Sequence, residues 1–567
     1  MNHRWKLFTI LVVLGLVLAA CGTAASPSAS SSASGGEPSA SEAAFDGMTY
    51  PEDAPAECGS DTNASNISQI KAIDRLTVEF TLCNPDVAFL SKIAFSAFGI
   101  DDSDYLTAHM EDGSIIEQPN GTGPYKLDAW NRGTDITMSA FDGYWGTAAK
   151  SPTVIFRWST EAAQRLVELQ GGTVDGIDNP GPDDFKTIED DPNLKLYPRE
   201  GLNTFYIGFN NTFPPFDNEK VRQAIAMGID RQRIVDAYYP PGSEVATHFT
   251  PCSIPFACEG DDWYDYDLDA AKQMLADAGF PNGFETTIHL RDVVRGYLPA
   301  PQQVAADLLD QLADLGITAT IDVQESTTFI DNANNGALDG IHMLGWGADY
   351  PDVTNFLDFH FGAGASPQFG DKFDDITEAL QQGASSVEDA DRQAAYETAN
   401  NAVREHVPMV PIAHGGSGVA FQANNDGAHS SPLGNENMSV IGPGSDDQLV
   451  WMQNGEPGGL YCGDETDGES LRVCEQIKES LYAYEVAGTA AEPSLATECA
   501  PNDDLTVWTC TLRDGVKFHD GADLDANDVV LSYAVQWDAA HPLHIGRNGT
   551  FDYFSALFGF LNPPPAE

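Results

Sequence analysis

Two stretches of this chain alternate between strand-like and helix-like patterns, and they constrain the fold more than any other feature. In the first, residues 154–158 read as a buried strand, 161–170 as a helix and 174–177 as the next strand. In the second, apolar residues along 304–315 mark one face of a helix, and a strand over 317–323 follows. A strand, a helix and a second strand in this order form a unit of a parallel sheet. The sequence therefore predicts α/β lobes.

Length and charge narrow the class of protein. The chain has 567 residues, more than the roughly 250–300 that one hydrophobic core supports, so we expect two or three domains. Its 28 Lys and Arg residues stand against 86 Asp and Glu residues, a formal net charge of −58. Such a surface repels nucleic acid, so no nucleic-acid partner is expected. Carboxylates spread along the whole chain indicate a solvated surface, with cation binding and adaptation to high salt as alternatives.

The N-terminal segment has the layout of an export signal. Basic residues precede an apolar run over residues 7–18, which is shorter than the ~20 residues of a membrane-spanning helix. Small residues then precede Cys21, a pattern that resembles a bacterial lipobox. It implies that Cys21 carries a lipid and anchors the exported protein to the outer face of the cytoplasmic membrane; a chance cysteine is the alternative. We expect residues 1–21 to be signal and lipobox, and the Ser/Ala/Gly-rich residues 22–44 to be a disordered tether.

Eight cysteines remain besides Cys21, an even number that fits disulfides in an exported protein. Their spacing suggests local pairs, although eight cysteines allow on the order of 100 pairings. Zinc binding is the alternative, but the two-residue CxxC spacing is absent, so no metal is expected. The candidate disulfides are Cys58 with Cys83, Cys252 with Cys258, Cys462 with Cys474, and Cys499 with Cys510.

Several segments together resemble one family. They are GTGPYKL at 121–127, GYW at 143–145, GFNNTFPPFDNEKVRQAIAMGIDRQRIV at 208–235, YDLDAAKQMLADAGF at 266–280, WGADYPD at 346–352 and LRDGVKFHDGADLDANDVVLSY at 512–533. With them the chain resembles, over residues 72–560, the extracellular solute-binding proteins of ABC importers, in the dipeptide- and oligopeptide-binding group of family 5. This resemblance implies an α/β, two-lobed periplasmic-binding-protein-like fold of type II, in its large peptide-binding subtype, with a third smaller domain.

The order of the segments departs from that family. There, a segment like the one from Gln448 onward opens the mature chain, whereas in this chain it lies near the C-terminus, so we expect a circularly permuted chain. A misassembled or chimeric gene is the alternative. Permutation is physically reasonable because termini often lie close together at the surface. The expected domains are a small lobe from 45–144 and 481–567, a main lobe from 145–236 and 424–480, and a second ligand-binding lobe from 237–423.

Asp349 is the main candidate for ligand binding, since it follows a strand-like stretch and lies among Gly and Pro residues. The resemblance implies that an acidic residue at this position holds the ligand's α-ammonium group; an exposed turn aspartate is the alternative. Trp346 is an aromatic wall or a core residue. A ligand carboxylate would need a cation, for which Arg295 and Arg291 are candidates, with a surface salt bridge as the alternative. The remaining candidates are Gly347, Tyr350, Glu456 and Tyr461.

The resemblance implies a monomeric, lipid-anchored binding protein without cofactor. It would capture a short peptide or similar solute between its lobes and deliver it to the permease subunits of an ABC transporter. An oligosaccharide, a nickel complex or haem is the alternative solute. An exported hydrolase is a weaker alternative, because the Gly-Gly-Ser-Gly run after His414 lacks the strand–turn–helix context of a nucleophile. His541 with His544, and His519 with Asp520, could suggest a metal site or an acid/base pair, but no third ligand is indicated. We therefore expect no enzyme.

Overall fold

The structure is a computed structural model that describes residues 45–291, 295–444 and 447–564. The expected signal segment, lipid-bearing Cys21 and tether lie outside the described residues. The strands and helices of the described residues belong to one unit, Asp46–Glu567.

The strands are numbered in the order in which they follow one another along the chain. They are β1 (Thr49–Tyr50), β2 (Ile67–Asp74), β3 (Thr77–Leu82), β4 (Tyr125–Asn131), β5 (Asp135–Ala140), β6 (Thr153–Trp158), β7 (Gly176–Asp178), β8 (Leu194–Arg199), β9 (Asn203–Phe209), β10 (Glu244–Val245), β11 (Glu285–Arg291), β12 (Thr318–Gln324), β13 (Ile341–Gly347), β14 (Met409–His414), β15 (Ser417–Gln422), β16 (Gln448–Gln453), β17 (Tyr482–Tyr484), β18 (Ala491–Pro493), β19 (Ala496–Pro501) and β20 (Val507–Leu512).

The α-helices lie between these strands. They are α1 (Phe89–Ile93), α2 (Ser103–His109), α3 (Ala162–Gln170), α4 (Phe185–Asp190), α5 (Glu219–Gly228), α6 (Arg231–Tyr238), α7 (Leu268–Asp277), α8 (Pro301–Asp314), α9 (Ser326–Asn334), α10 (Leu357–Phe361), α11 (Asp374–Ser385), α12 (Asp389–His406), α13 (Gly468–Ile477), α14 (Ala526–Trp537) and α15 (Asp552–Leu557).

The strands form mixed sheets, and both predicted strand–helix–strand units are present. The seven-stranded sheet has the order β4-β5-β6-β16-β7-β15-β8, in which β6 and β7 both run parallel to β16 between them, and α3 connects them. The six-stranded sheet has the order β10-β14-β9-β13-β11-β12, in which α8 connects the parallel neighbours β11 and β12. The α/β fold class is therefore confirmed.

The third sheet joins the two ends of the described chain. Its order is β1-β2-β3-β20-β19, and β20 pairs with β3 antiparallel, with Cys510 opposite Val78. This pairing agrees with an expected small lobe built from both chain ends. That the segment order is a circular permutation remains a prediction.

Four strands lie in a different sheet from the one that the expected domain boundaries imply. The hairpin β4–β5, expected in the small lobe, pairs through β5 with β6 of the seven-stranded sheet. Strand β9, expected in the main lobe, lies between β14 and β13 in the six-stranded sheet, whereas β15, expected in the second lobe, pairs with β7 and β8. Such pairings join segments far apart in sequence, and single-sequence patterns do not specify them.

Separate hydrophobic cores cover the two large sheets. The core of the six-stranded sheet includes Phe205, Ile288 and Met343, packed against helices such as α5 and α8. The seven-stranded sheet has one core around Phe156 and Trp451, and another around Leu169 that packs α3 against it. Each large sheet is thus stabilised by its own buried apolar residues.

Local sequence signals coincide with two of the helix ends. Asp267 caps α7, since its Oδ1 accepts the Ala270 N–H at 2.9 Å. Gly316 follows α8 with φ of +83°, a left-handed conformation that favours glycine. Ser385 and Glu388 have the spacing of a capping box, but Ser385 ends α11 and its hydroxyl donates to the carbonyl of Gln381.

The amphipathic stretch 221–234 is two helices and not one. The first, α5, ends at Gly228, and α6 starts anew at Arg231. Asp230 caps α6, since its Oδ1 accepts the Arg233 N–H at 3.0 Å. Both helices bury apolar residues, so this stretch faces the core.

The structure has disulfides at the expected positions. The bonded pairs are Cys58–Cys83, Cys252–Cys258, Cys462–Cys474 and Cys499–Cys510. The last pair links β19 to β20 at directly opposite positions. Among the described residues, the helices are all too short or too polar to cross a lipid bilayer.

Candidate ligand-binding site

The candidate site begins where β13 leaves the six-stranded sheet. Residues 341–345 of this strand are buried between β9 and β11, which anchors it in the core. Its last residue, Gly347, is exposed, and the chain then turns into a loop that carries Asp349. A rigid strand therefore positions a polar loop, as the sequence predicted.

The carboxyl group of Asp349 is largely withdrawn from water. Asn355 donates its side-chain amide to Asp349 Oδ2 at 3.1 Å, and the backbone N–H of Asp349 donates to Asn355 Oδ1 at 3.0 Å. Burial raises the pKa of Asp349 above its ordinary value, and the bond from Asn355 opposes that rise. Asp349 takes part in none of the ion pairs within the described residues. A cationic group of a ligand would supply the positive charge that could pair with this carboxylate.

A cavity of about 340 Å³ opens beside Asp349. It brings together Asp349, Trp346, Gly347 and Arg295 from the predicted residues, and Arg291 with them. One acidic and two basic side chains therefore line the same space. Groups of opposite charge on one small ligand can be held there simultaneously.

Trp346 forms an aromatic wall of this cavity together with a residue that the sequence interpretation missed. Its ring stacks on Phe359 with the centroids 4.3 Å apart, and its indole N–H donates to Asn355 Oδ1 at 3.2 Å. Phe359 is 55% exposed, which is unusual for a phenylalanine. Its position in a short helix after the loop gave no sequence signal for ligand contact.

Tyr350, another predicted ligand-binding residue, lies outside the residues that line the cavity. Its ring is buried, and its hydroxyl lies 3.2 Å from Thr354 Oγ1. The ammonium group of Lys92 lies 5.3 Å from the centre of the ring and pairs with Asp86 at 2.7 Å. Tyr350 therefore links the loop of Asp349 to the segment around α1.

Glu456 and Tyr461 also lie apart from the residues that line this cavity. Glu456 Oε1 accepts the Trp130 indole N–H at 3.1 Å and the Gly133 backbone N–H at 3.0 Å, so it braces the β4–β5 hairpin. Tyr461 is 0% exposed, with Lys478 Nζ 4.9 Å from its ring centre. Both side chains are therefore engaged with neighbours within the fold, and a role for them in ligand binding remains a prediction.

Tyr553 is a second residue near Asp349 that sequence reasoning missed. It is half-buried in α15, with its ring centre 4.6 Å from that of Phe95. Burial raises the pKa of Tyr553 to about 12, and the negative charge of Asp349 contributes to the rise. The two residues come from distant parts of the chain, so single-sequence motifs could not join them.

The residues considered for catalysis have structural partners. His519 Nε2 lies 3.0 Å from the carbonyl of Gly123, and burial lowers the pKa of His519 to about 4. Ser417 lies at the start of β15, where Arg199 Nη1 donates to its hydroxyl at 3.4 Å. Ser417 is therefore part of a strand and not of a strand–turn–helix elbow.

Comparison with known proteins gives a family match over most of the chain. The family model described as bacterial extracellular solute-binding proteins, family 5 Middle, matches residues 25–368 and 490–548. The match falls in two blocks and covers more than half of the chain.

Individual relatives agree with this match. Di/tripeptide-binding protein 1 of Pseudomonas aeruginosa is 31% identical over 358 residues, which are 62% of this chain and 66% of the relative. This chain thus spans about two thirds of that protein's length. HbpA2 from Haemophilus parasuis is 28% identical, with a TM-score of 0.64 over 67% of this chain and 76% of the other. DppA from Helicobacter pylori, in complex with the peptide STSA, is 27% identical, with a TM-score of 0.50 over 64% and 71% of the two chains.

Proposed function

This chain belongs to the bacterial extracellular solute-binding proteins of family 5, and from this premise we propose that it captures a short peptide or similar solute for an ABC importer. The protein binds its solute as a monomer, without chemical turnover, and hands it to the importer's permease subunits. The name of the Pseudomonas aeruginosa relative and the peptide bound to the Helicobacter pylori protein support a peptide as ligand.

The observation that carries this proposal is the pairing of opposite charges in one cavity. A short peptide has an α-ammonium group at one end and a carboxylate at the other. Asp349 offers a half-buried carboxylate for the first, and Arg295 and Arg291 offer guanidinium groups for the second. Charge-assisted hydrogen bonds to both ends would fix the peptide's direction and length. The stacked rings of Trp346 and Phe359 offer an apolar surface to a side chain between them.

Contacts around the site support capture by closure of two lobes. Tyr350 in the Asp349 loop contacts Lys92, and Tyr553 lies near Asp349, although these residues come from distant segments. A ligand that touches both sides favours the closed arrangement by its difference in affinity for the two states. Importer subunits can then distinguish the loaded protein from the empty one.

Calorimetry with capped and uncapped tripeptides tests the proposal. Trialanine should bind, N-acetyl-trialanine should bind at least about tenfold more weakly, and trialanine amide should also lose affinity, because each cap removes one terminal charge. Equal affinity for capped and free peptides would contradict recognition of the termini. Absence of binding to every member of a di- and tripeptide library would contradict the proposed function itself. Mass analysis of the same incubations should recover every peptide intact; cleavage products would instead indicate a hydrolase.

We further propose that Cys21 carries the lipid anchor, with residues 22–44 as tether. The anchor would keep the protein near the importer and raise its effective concentration there. Metabolic labelling with a fatty acid should label the natural chain and not Cys21→Ser. Equal labelling of the two chains would contradict the anchor without affecting the peptide-binding proposal.

A further inference from the structure

A second cavity adjoins the one that holds Asp349. Its volume is about 370 Å³, and it shares Asn334 and Phe359 with the first cavity. Small residues, Gly364 and Ala365, form part of its wall together with Asp358. A ligand seated beside Asp349 can therefore extend past Phe359 into this second space.

Asp358 is the chemically distinctive group of the second cavity. It lies in α10, and its buried Oδ2 has no hydrogen-bond partner within the part of the chain that the structure describes. Burial raises the pKa of Asp358 well above its ordinary value, and the negative charge of Asp352 adds to the rise. Leaving a buried carboxyl oxygen unpaired costs stability, so such a group calls for a functional explanation.

The nearby cations are already paired with other carboxylates. Arg392 Nη2 lies 3.1 Å from both carboxyl oxygens of Asp352, and Lys92 lies 2.7 Å from Asp86. Each of these pairs balances its own charge. Asp358, unlike Asp352 and Asp86, therefore has no hydrogen-bonded cation among the described residues.

The wall of the cavity suits a long, flexible cationic side chain. Phe359 is 55% exposed and can contact the methylene stem of such a chain, or its cationic head. A Cβ placed on Gly364 would meet nothing within 4 Å, so the space there is open. A neutral side chain of the same length would fill this space but leave Asp358 without a partner.

We propose that the second cavity receives a lysine or arginine side chain of the bound peptide, with Asp358 as its partner, so that this protein selects basic peptides. This inference rests on the proposed function, because it takes the peptide's α-ammonium group to be held by Asp349. It also fits the formal net charge of −58, which attracts cationic peptides over a distance.

The test compares tripeptides that differ by one charge. Each position of trialanine is replaced in turn by lysine or by norleucine, which has the same straight stem without the ammonium group. Calorimetry on the folded protein should give, for at least one position, about tenfold or tighter binding of the lysine peptide over the norleucine peptide. Asp358→Asn should reduce this ratio to about twofold or less. Asp374→Asn, which removes one exposed charge from the first turn of α11, is the matched control and should keep the wild-type ratio.

A second variant keeps the test decisive if Asp358→Asn folds poorly, which a thermal melt will reveal. Gly364→Leu places a side chain in the open space and should weaken binding of the lysine peptide more than binding of trialanine. The inference is overturned if lysine and norleucine peptides bind equally at every position, or if Asp358→Asn keeps the preference. In both cases trialanine still binds, and the proposed function survives. If neither alanine nor lysine peptides bind the natural protein, the proposed function fails together with this inference.

Discussion

Asn355 holds Asp349 by two hydrogen bonds, one to its backbone N–H at 3.0 Å and one to its carboxyl group at 3.1 Å. The same Oδ1 that accepts the backbone N–H also accepts the indole N–H of Trp346 at 3.2 Å. Asn355 is buried and ends a short 3-10 turn, Val353–Asn355. One amide side chain therefore orients both the carboxylate and the aromatic wall of the proposed site, which makes Asn355 a positioning residue.

Asn355→Ala should weaken trialanine binding by about 1 kcal/mol, the typical contribution of a hydrogen bond. Because the ionised form of Asp349 binds the ammonium group, affinity should fall as the pH drops through the pKa of Asp349. The Asn355 amide lowers that pKa, so in the variant the fall should begin at higher pH. Calorimetry across pH measures both effects. Thr354→Ala, the control, removes the hydroxyl that donates to Asp352 and contacts Tyr350, but it leaves both bonds between Asn355 and Asp349 in place. A pH profile shifted equally in both variants would contradict the positioning role.

Asp349→Asn should weaken peptide binding by about 1.5–3 kcal/mol, the range typical of a hydrogen bond to a charged group. The loss should be much smaller for N-acetyl-trialanine, which has no ammonium group to lose. Calorimetry with both peptides gives the comparison. The exposed Asp374→Asn again controls for net charge. Equal affinity of Asp349→Asn and the natural protein for trialanine would remove Asp349 from the site.

The sequence predicted those parts of the structure that depend on neighbouring residues. The strand before Asp349, the helix α8 and the disulfide between Cys499 and Cys510 all follow from local periodicity or spacing. Asp349 follows a strand-like stretch, where loops often carry function, but the family resemblance, and not this local pattern, favoured it over an exposed turn aspartate.

The missed parts depend on contacts between distant segments. Strand β9 joins the six-stranded sheet by pairing with β14 and β13, and nothing within residues 203–209 specifies those partners. Tyr461 was predicted in the site and is fully buried, while Tyr553, which was not predicted, lies near Asp349. An aromatic residue can pack in a core or line a binding site, and the sequence alone does not tell these two positions apart. Only the fold distinguishes them.

Arg392 and Asp352 form an ion pair behind the Asp349 loop, with side chains 9% and 12% exposed. Arg392→Met leaves the carboxylate buried without its partner, so the free energy of unfolding should fall by about 3–5 kcal/mol. Adding Asp352→Asn to that variant should recover part of the loss. Urea denaturation measures all three proteins. Lys186→Met, which breaks an exposed pair with Asp190, should change stability by less than about 1 kcal/mol. A loss of that small size for Arg392→Met would contradict the role of the pair.

Glu475 makes stability depend on pH. Its buried Oε2 has no hydrogen-bond partner in the described chain, and burial, with the charge of Glu436 in addition, raises its pKa to about 8. The unfolded chain releases this proton near its ordinary pKa of about 4.3, so the folded state binds the proton more tightly. The contribution of this bound proton to the free energy of unfolding is complete below a pH of about 4.3. It is lost as the pH rises towards and through about 8. Glu475→Gln should therefore become more stable relative to the natural protein as the pH rises, by roughly 4–5 kcal/mol at pH 8–9 relative to pH 4. Denaturation curves across this range test the effect, with the exposed Glu498→Gln as control. Parallel pH profiles for the natural protein and Glu475→Gln would show that Glu475 ionises as it does in the unfolded chain.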